Sequence, residues 1–211
     1  SPAAALLALF GEIAEFGYRE QNWLAALHAA AIHDGARALL LPARGGTGKT
    51  TLTAALLAAG YGYLSDDVAP LDAETLDVWP LPLPLRIKPG SVAVLRERYP
   101  ELDTLSAYGP PGQAVRLLPP PRFTLHAAKR RYPVAGLLFP DDQPDAATTL
   151  QPLTPVESLH RLLAAEALFR RPLIPEHIVR LLAWLEVTPA WRLTYPHDLT
   201  AAVAAIKNQW P

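Results

Sequence analysis

The stretch 38–53, ALLLPARGGTGKTTLT, joins an apolar run, a glycine-rich turn, a Lys-Thr pair and a helix-forming segment, the order that a phosphate-binding loop requires. Gly45, Gly46 and Gly48 lack a Cβ. The chain can therefore turn tightly and aim successive N–H groups at phosphate oxygens, at the positive end of the helix that begins there. The loop Gly45, Gly46, Thr47, Gly48, Lys49, Thr50 and Thr51 is read as the seat of a nucleoside triphosphate, ATP with Mg²⁺. Lys49 would reach the β- and γ-phosphates and Thr50 would offer its hydroxyl to Mg²⁺, while Arg44 is expected to face solvent or the base. The pattern departs from G-x-x-x-x-G-K-[ST] at its first position, Ala43, but the central Gly-x-Gly-Lys-Thr, which makes most phosphate contacts, is intact. A second acidic element follows in 63–68, YLSDDV. By itself an Asp-Asp pair at a strand end reads as a solvated turn; beside the loop, Asp66 and Asp67 read as part of one site. Adjacent carboxylates repel, so one of the two is expected to titrate above the ordinary carboxylate range.

Periodicity predicts the elements that position these groups. Residues 38–41 form a continuous apolar run suited to a buried parallel strand, and 51–59 repeat Leu and Ala at helical spacing, with Gly60 as the stop. Residues 61–64 predict a strand ending at the Asp pair, with further short strands at 68–70 and 77–79. Segments 3–10 and 22–31 read as helix or loop-helix, and Asp34-Gly35 as a turn. Alternating prolines exclude helix from 80–88, PLPLPLRIK, and predict an extended edge or loop. Pro110-Pro111 and Pro119 to Pro121 mark stiff, exposed chain that suits a substrate-facing flap as well as a connector. Residues 133–139 predict another apolar strand; 156–170, 175–186 and 198–208 predict helices, with a strand at 191–195.

With 211 residues and 50% hydrophobic content, the chain can bury a core as one domain, its core about 22–140 and a helical C-terminal portion about 155–211. The absence of cysteine excludes a disulfide framework and a thiolate metal site. A net charge of −1 with scattered arginines argues against a nucleic-acid surface, and Arg37, Arg44 and Lys49 interrupt the most apolar region before it could span a bilayer. A soluble, cytoplasmic protein is expected, with an Ala-rich, Arg-over-Lys bias typical of GC-rich bacterial genomes. The chain starts at Ser1 and contains no methionine, so the natural start is expected to differ.

His28, the loop 38–50 and the segment 60–68, GYGYLSDDV, together resemble bacterial HPr kinase/phosphatase and the wider group of HPr-kinase-related proteins, over about residues 27–70. The resemblance implies an α/β phosphate-loop kinase of the HPr-kinase and phosphoenolpyruvate-carboxykinase-like type, with a mixed central sheet, flanking helices and a helical C-terminal part. It implies Asp67 as the general base for a serine hydroxyl, Asp66 assisting through Mg²⁺ or its water, Lys49 and Thr50 on phosphate and metal, and His28 close to the reacting phosphate. From its neighbours alone, His28 among Ala and Leu fits a packed side chain equally well. The family's Glu-containing signature segment after the Asp pair has no counterpart here. That points away from the dephosphorylating reaction and from HPr as substrate, towards the short divergent type, some of whose relatives phosphorylate serine of a precursor peptide. The expected partner is thus a serine-bearing protein or peptide, with no nucleic acid and no membrane. A homo-oligomer stays open, as do a nucleotide-gated binding module and a small-molecule kinase. Two basic pairs, Arg86 with Lys88 and Arg130 with Arg131, are able to clamp phosphate or an acidic substrate, and a solvated basic turn suits Arg130 and Arg131.

Overall fold

The apolar runs of the sequence become strands covered on both faces. In the computed structural model, which describes residues 2–110, 112–120, 129–196 and 198–210, helix α1 (Pro2–Phe16) precedes β1 (Trp23–Leu27), β2 (Ala29–His33) and β3 (Ala38–Pro42). The glycine-rich loop opens α2 (Lys49–Ala58), which leads to β4 (Gly62–Ser65) and β5 (Ala69–Asp72). Next come β6 (Leu85–Ile87), α3 (Pro89–Leu95), a 3-10 turn (Pro100–Asp103), β7 (Ala107–Tyr108) and β8 (Val115–Leu118). The chain finishes with β9 (Val134–Asp142), β10 (Thr149–Pro152), α4 (Pro155–Ala164), β11 (Leu168–Phe169), α5 (Pro175–Val187), β12 (Ala190–Tyr195) and α6 (Leu199–Gln209). Pro111 and Pro121 of the expected flap lie outside the described residues. Among the described residues no helix is long and apolar enough to cross a membrane.

A mixed six-stranded sheet, ordered β10-β12-β9-β3-β2-β4, forms the centre. Its strands β3, β9 and β12 are parallel, while β2 pairs antiparallel with both β3 and β4. The start of β2 and the C-terminal ends of β3, β4, β9 and β12 therefore share one edge of the sheet. Alternation along each strand divides the core in two. Ala30, Ile32, Leu39 and Leu41 face α2, α6 and a small sheet, β6-β8-β7. Ala29, Ala31, Ala38 and Leu40 face the opposite way, towards α4, α5 and a second small sheet, β11-β1-β5. The C-terminal part is helical but interleaved with the rest, since β12 lies between β9 and β10. Helix α6 is tied at its far end, where the Tyr61 hydroxyl donates to the Trp210 carbonyl at 2.6 Å and the two rings stack.

Three expectations are corrected. Residues 22–31 form two strands rather than a helix: alanine favours helix in isolation, but here small side chains let β1 and β2 lie buried in two different sheets. The predicted helix 156–170 stops at Ala164, because Glu166 turns into the left-handed region at φ 63° and the chain reverses into β11. At its start α4 carries a capping box between Thr154 and Glu157. Residues 77–79 contribute isolated bridges at Val78 rather than a strand.

Candidate functional site

All the chemistry gathers on the shared edge of the central sheet. The loop leaves β3 there, and its entrance is fastened by the Ala43 N–H donating to the His28 carbonyl at 3.2 Å, which explains how an alanine replaces the first glycine: Ala43 is buried against the β1–β2 junction. Gly46 and Gly48 adopt φ of 91° and 81°, and a Cβ on Gly48 would stand 2.9 Å from the Tyr195 hydroxyl, so this position accepts glycine alone. Thr47 closes the turn by donating from its hydroxyl to the Arg44 carbonyl at 2.9 Å. Lys49, the first residue of α2, is only 5% exposed, and its ammonium has no hydrogen-bond partner. Burial pulls its pKa below the ordinary lysine value, against the pull of Asp66 and Asp67. The nearest carboxylate oxygen is Asp67 Oδ1 at 3.7 Å, an ion pair longer than a hydrogen bond.

The two aspartates differ sharply. The Ser65 hydroxyl donates to the Val68 carbonyl and closes the turn that carries them. Asp66 points inward, 4% exposed, and accepts from the Thr50 hydroxyl at 2.9 Å through Oδ2, while its Oδ1 is buried without a partner. Burial first, and then the Asp67 charge, raise its pKa to about 6, opposed by Lys49, the Thr50 hydroxyl and the nearby Arg86 backbone N–H. Asp67 faces the cleft, its side chain 38% exposed, between Lys49 and Arg86, whose Nη1 stands 3.9 Å from Oδ2. The carboxylate that titrates high is thus the buried one.

A cleft of about 650 Å³ runs along the loop and is lined by His28, Arg44, Gly45, Gly46, Gly48, Lys49, Thr50, Thr51 and Asp67. Of the proposed site residues, Asp66 and Thr47 do not line the cleft: Asp66 is buried behind its wall, and Thr47 is turned back onto the loop. His28 is half-buried and held below its ordinary pKa by burial and then by the Lys49 charge, so it is neutral at pH 7. Arg44 is exposed at the cleft, and its Nε donates to the Ala164 carbonyl at 2.6 Å, at the end of α4. The basic pairs separate cleanly. Arg86 and Lys88 alternate with the buried Leu85 and Ile87 on β6, so both enter the cleft. Hydrogen bonds from Leu81 N–H to the Leu64 carbonyl and from the Tyr63 hydroxyl to the Leu83 carbonyl hold the preceding Pro-Leu repeat along β4. Arg130 instead donates to the Gly35 and Ala36 carbonyls, and Arg131 pairs with Asp72 at 2.7 Å, both away from the cleft.

Sequence reasoning missed the opposite rim, made by Asp142, Tyr195, Leu199, Ser91 and Val94. Burial, and then Asp142 and Asp141, push the Tyr195 phenol well above its ordinary pKa, so it stays neutral. The available signal was a second Asp-Asp pair, 141–142, closing an apolar strand as 66–67 does.

No protein-family model matches the chain, and no curated protein matches it. Among solved structures, the Hpr(Ser) kinase/phosphatase from Coxiella burnetii is similar over 87% of this chain and 95% of that one, at 12% identity and a TM-score of 0.41.

Proposed function

We propose that the protein is an ATP- and Mg²⁺-dependent kinase that transfers the γ-phosphoryl group to a serine hydroxyl of a protein or peptide. The observation that carries this reading is the buried Lys49 ammonium, without a hydrogen-bond partner and beside Asp67, at the mouth of a glycine loop. A buried cation held this way costs free energy unless an anionic ligand completes its shell, and phosphate is the anion that such a loop accepts. The buried Asp66 carboxylate and the Thr50 hydroxyl bonded to it fit a divalent cation. Mg²⁺ is such an ion, since it keeps water and phosphate oxygens in its shell and needs few protein ligands. Bound there, Mg²⁺ would neutralise charge on the phosphates.

The residues then take distinct roles. Loop N–H groups and Lys49 bind and orient the phosphates. Asp67, partly exposed in the cleft, takes the proton of the acceptor hydroxyl as its oxygen bonds to the γ-phosphorus and the bridging bond to ADP breaks. Arg86 stands where it can hold the transferring group, and neutral His28 adds no competing charge. The exposure of Asp67 and Lys88 at this end supports an acceptor presented on a chain rather than an engulfed metabolite.

Incubation with γ-labelled ATP, Mg²⁺ and a degenerate serine-containing peptide library tests the reading. Label on serine that disappears in Asp67→Asn, with ATP affinity retained, is the expected result. ATP binding by Lys49→Ala equal to that of the parent protein would overturn the nucleotide assignment, and undiminished transfer by Asp67→Asn would overturn the base.

A further inference from the structure

The cleft continues beyond the loop on the side away from Asp67, and this end has a chemistry of its own. Thr50 with Asp66 and Lys49 with Asp67 fix where the terminal phosphate belongs. A triphosphate lying across the start of α2 must therefore leave the loop past Thr51, and its nucleoside must enter the opposite end. Three elements build that end. The Thr51 and Ser91 hydroxyls hydrogen bond at 2.7 Å, which fastens α3 to α2. Arg98 Nη2 donates to the Thr200 hydroxyl at 3.1 Å, which fastens the chain just after α3 to the first turn of α6. Val94, near the end of α3, lies four residues before Arg98 and Leu199 beside Thr200, and both Val94 and Leu199 line the cleft; Val94 remains 41% exposed there. The floor is the end of the β9–β12 pair, where Asp142 and Tyr195 are partners in register.

A carboxylate only accepts hydrogen bonds, so what it reads on a ligand is a donor. Asp142 Oδ2 stands 3.6 Å from the position a Cβ would take on Gly48, hence close to the phosphate track. The donors of a nucleotide nearest its phosphates are the vicinal hydroxyls of the ribose, whereas base amino groups lie farther out, level with the apolar walls. We propose, resting on the nucleotide reading above, that this end of the cleft is a ribose-reading site in which Asp142 accepts from the sugar hydroxyls and Val94 and Leu199 cover the base. A carboxylate in an analogous place, past a glycine loop, performs this task in dinucleotide-binding folds.

The test is calorimetric titration of the full chain with Mg²⁺ and, separately, ADP, 2′,3′-dideoxy-ADP and inorganic pyrophosphate, repeated on Asp142→Ala. The parent protein should bind dideoxy-ADP about tenfold or more weaker than ADP, as expected for losing hydrogen bonds to a charged acceptor. In Asp142→Ala the two nucleotides should bind alike, while pyrophosphate binds both proteins equally, which also reports that the variant is folded. Equal binding of ADP and dideoxy-ADP to the parent would overturn the proposal, as would a preference that survives in Asp142→Ala. Pyrophosphate weakened as much as ADP would also overturn it, since Asp142 would then act on the loop. If neither ADP nor pyrophosphate binds the parent, the nucleotide reading itself falls, and this proposal falls with it.

Discussion

Two Asp-Asp pairs close two strands at the same edge of the central sheet, and they have different surroundings. Asp66 and Asp67, at the end of β4, lie within reach of Thr50, Lys49 and Arg86. Asp141 and Asp142, at the end of β9, meet Gln143, the distant Arg192 at 4.0 Å and the Tyr195 phenol. The first pair is divided by burial into a carboxylate locked on a hydroxyl and one open to the cleft. The second is divided by direction, with Asp142 alone lining the cleft. A dipeptide thus acquires a role from which side of the loop its strand emerges, and strand order decides that.

The two pairs should differ most at Asp67. Asp67→Asn should cut phosphoryl transfer by about 10²–10⁴-fold, the range for removing a general base, whereas Asp141→Asn should leave turnover within about twofold. Equal losses in steady-state assays would make the two pairs equivalent. Next in size, Gly48→Ala should abolish nucleotide binding, since its Cβ meets the Tyr195 hydroxyl at 2.9 Å. Adding Tyr195→Phe should restore part of the affinity, the remainder being the cost, about 1–2 kcal/mol, of a left-handed alanine. Titration of both variants checks this.

Asp66 gives a pH signature. Its folded pKa of about 6 lies above the ordinary value of 3.8, so the native state holds the proton more tightly. The stability it contributes is complete below about pH 4 and is lost as pH rises through 6. In EDTA, Asp66→Asn should therefore exceed the parent in stability by about 1–3 kcal/mol at pH 7.5, with the gap closing by pH 4, as read by denaturant melts. A gap that widens towards acid would contradict the assignment. Smallest among these, Arg131→Ala leaves the nearly buried Asp72 carboxylate without its ion pair and should cost about 1–2 kcal/mol while turnover stays unchanged.

How legible the molecule was in its sequence follows the same division. The path from β3 through the loop into α2 was readable because an apolar run, three glycines and a Lys-Thr pair each demand one local geometry. The strands β1 and β2 were not, because alanine carries a helical preference that burial in two sheets overrides, and with them went any reading of why Ala43 is tolerated. Arg86 and Lys88 were named but not chosen; only their alternation with Leu85 and Ile87 on β6 turns them towards Asp67. The opposite rim was invisible for a different reason. Asp142, Val94 and Leu199 come from three distant segments; the Asp141-Asp142 pair hints at one of them, but nothing local joins it to the other two, which tertiary packing brings together.

The bond between the Tyr61 hydroxyl and the Trp210 carbonyl makes α6 a lever with a fixed pivot. Its 11 residues span about 16 Å, so the end pinned beneath Tyr61 sets the angle at which Leu199 meets the cleft. Anything that lifts Trp210 from its seat, a clipped tail or a fused tag, would be felt as slack at the other end of the rod.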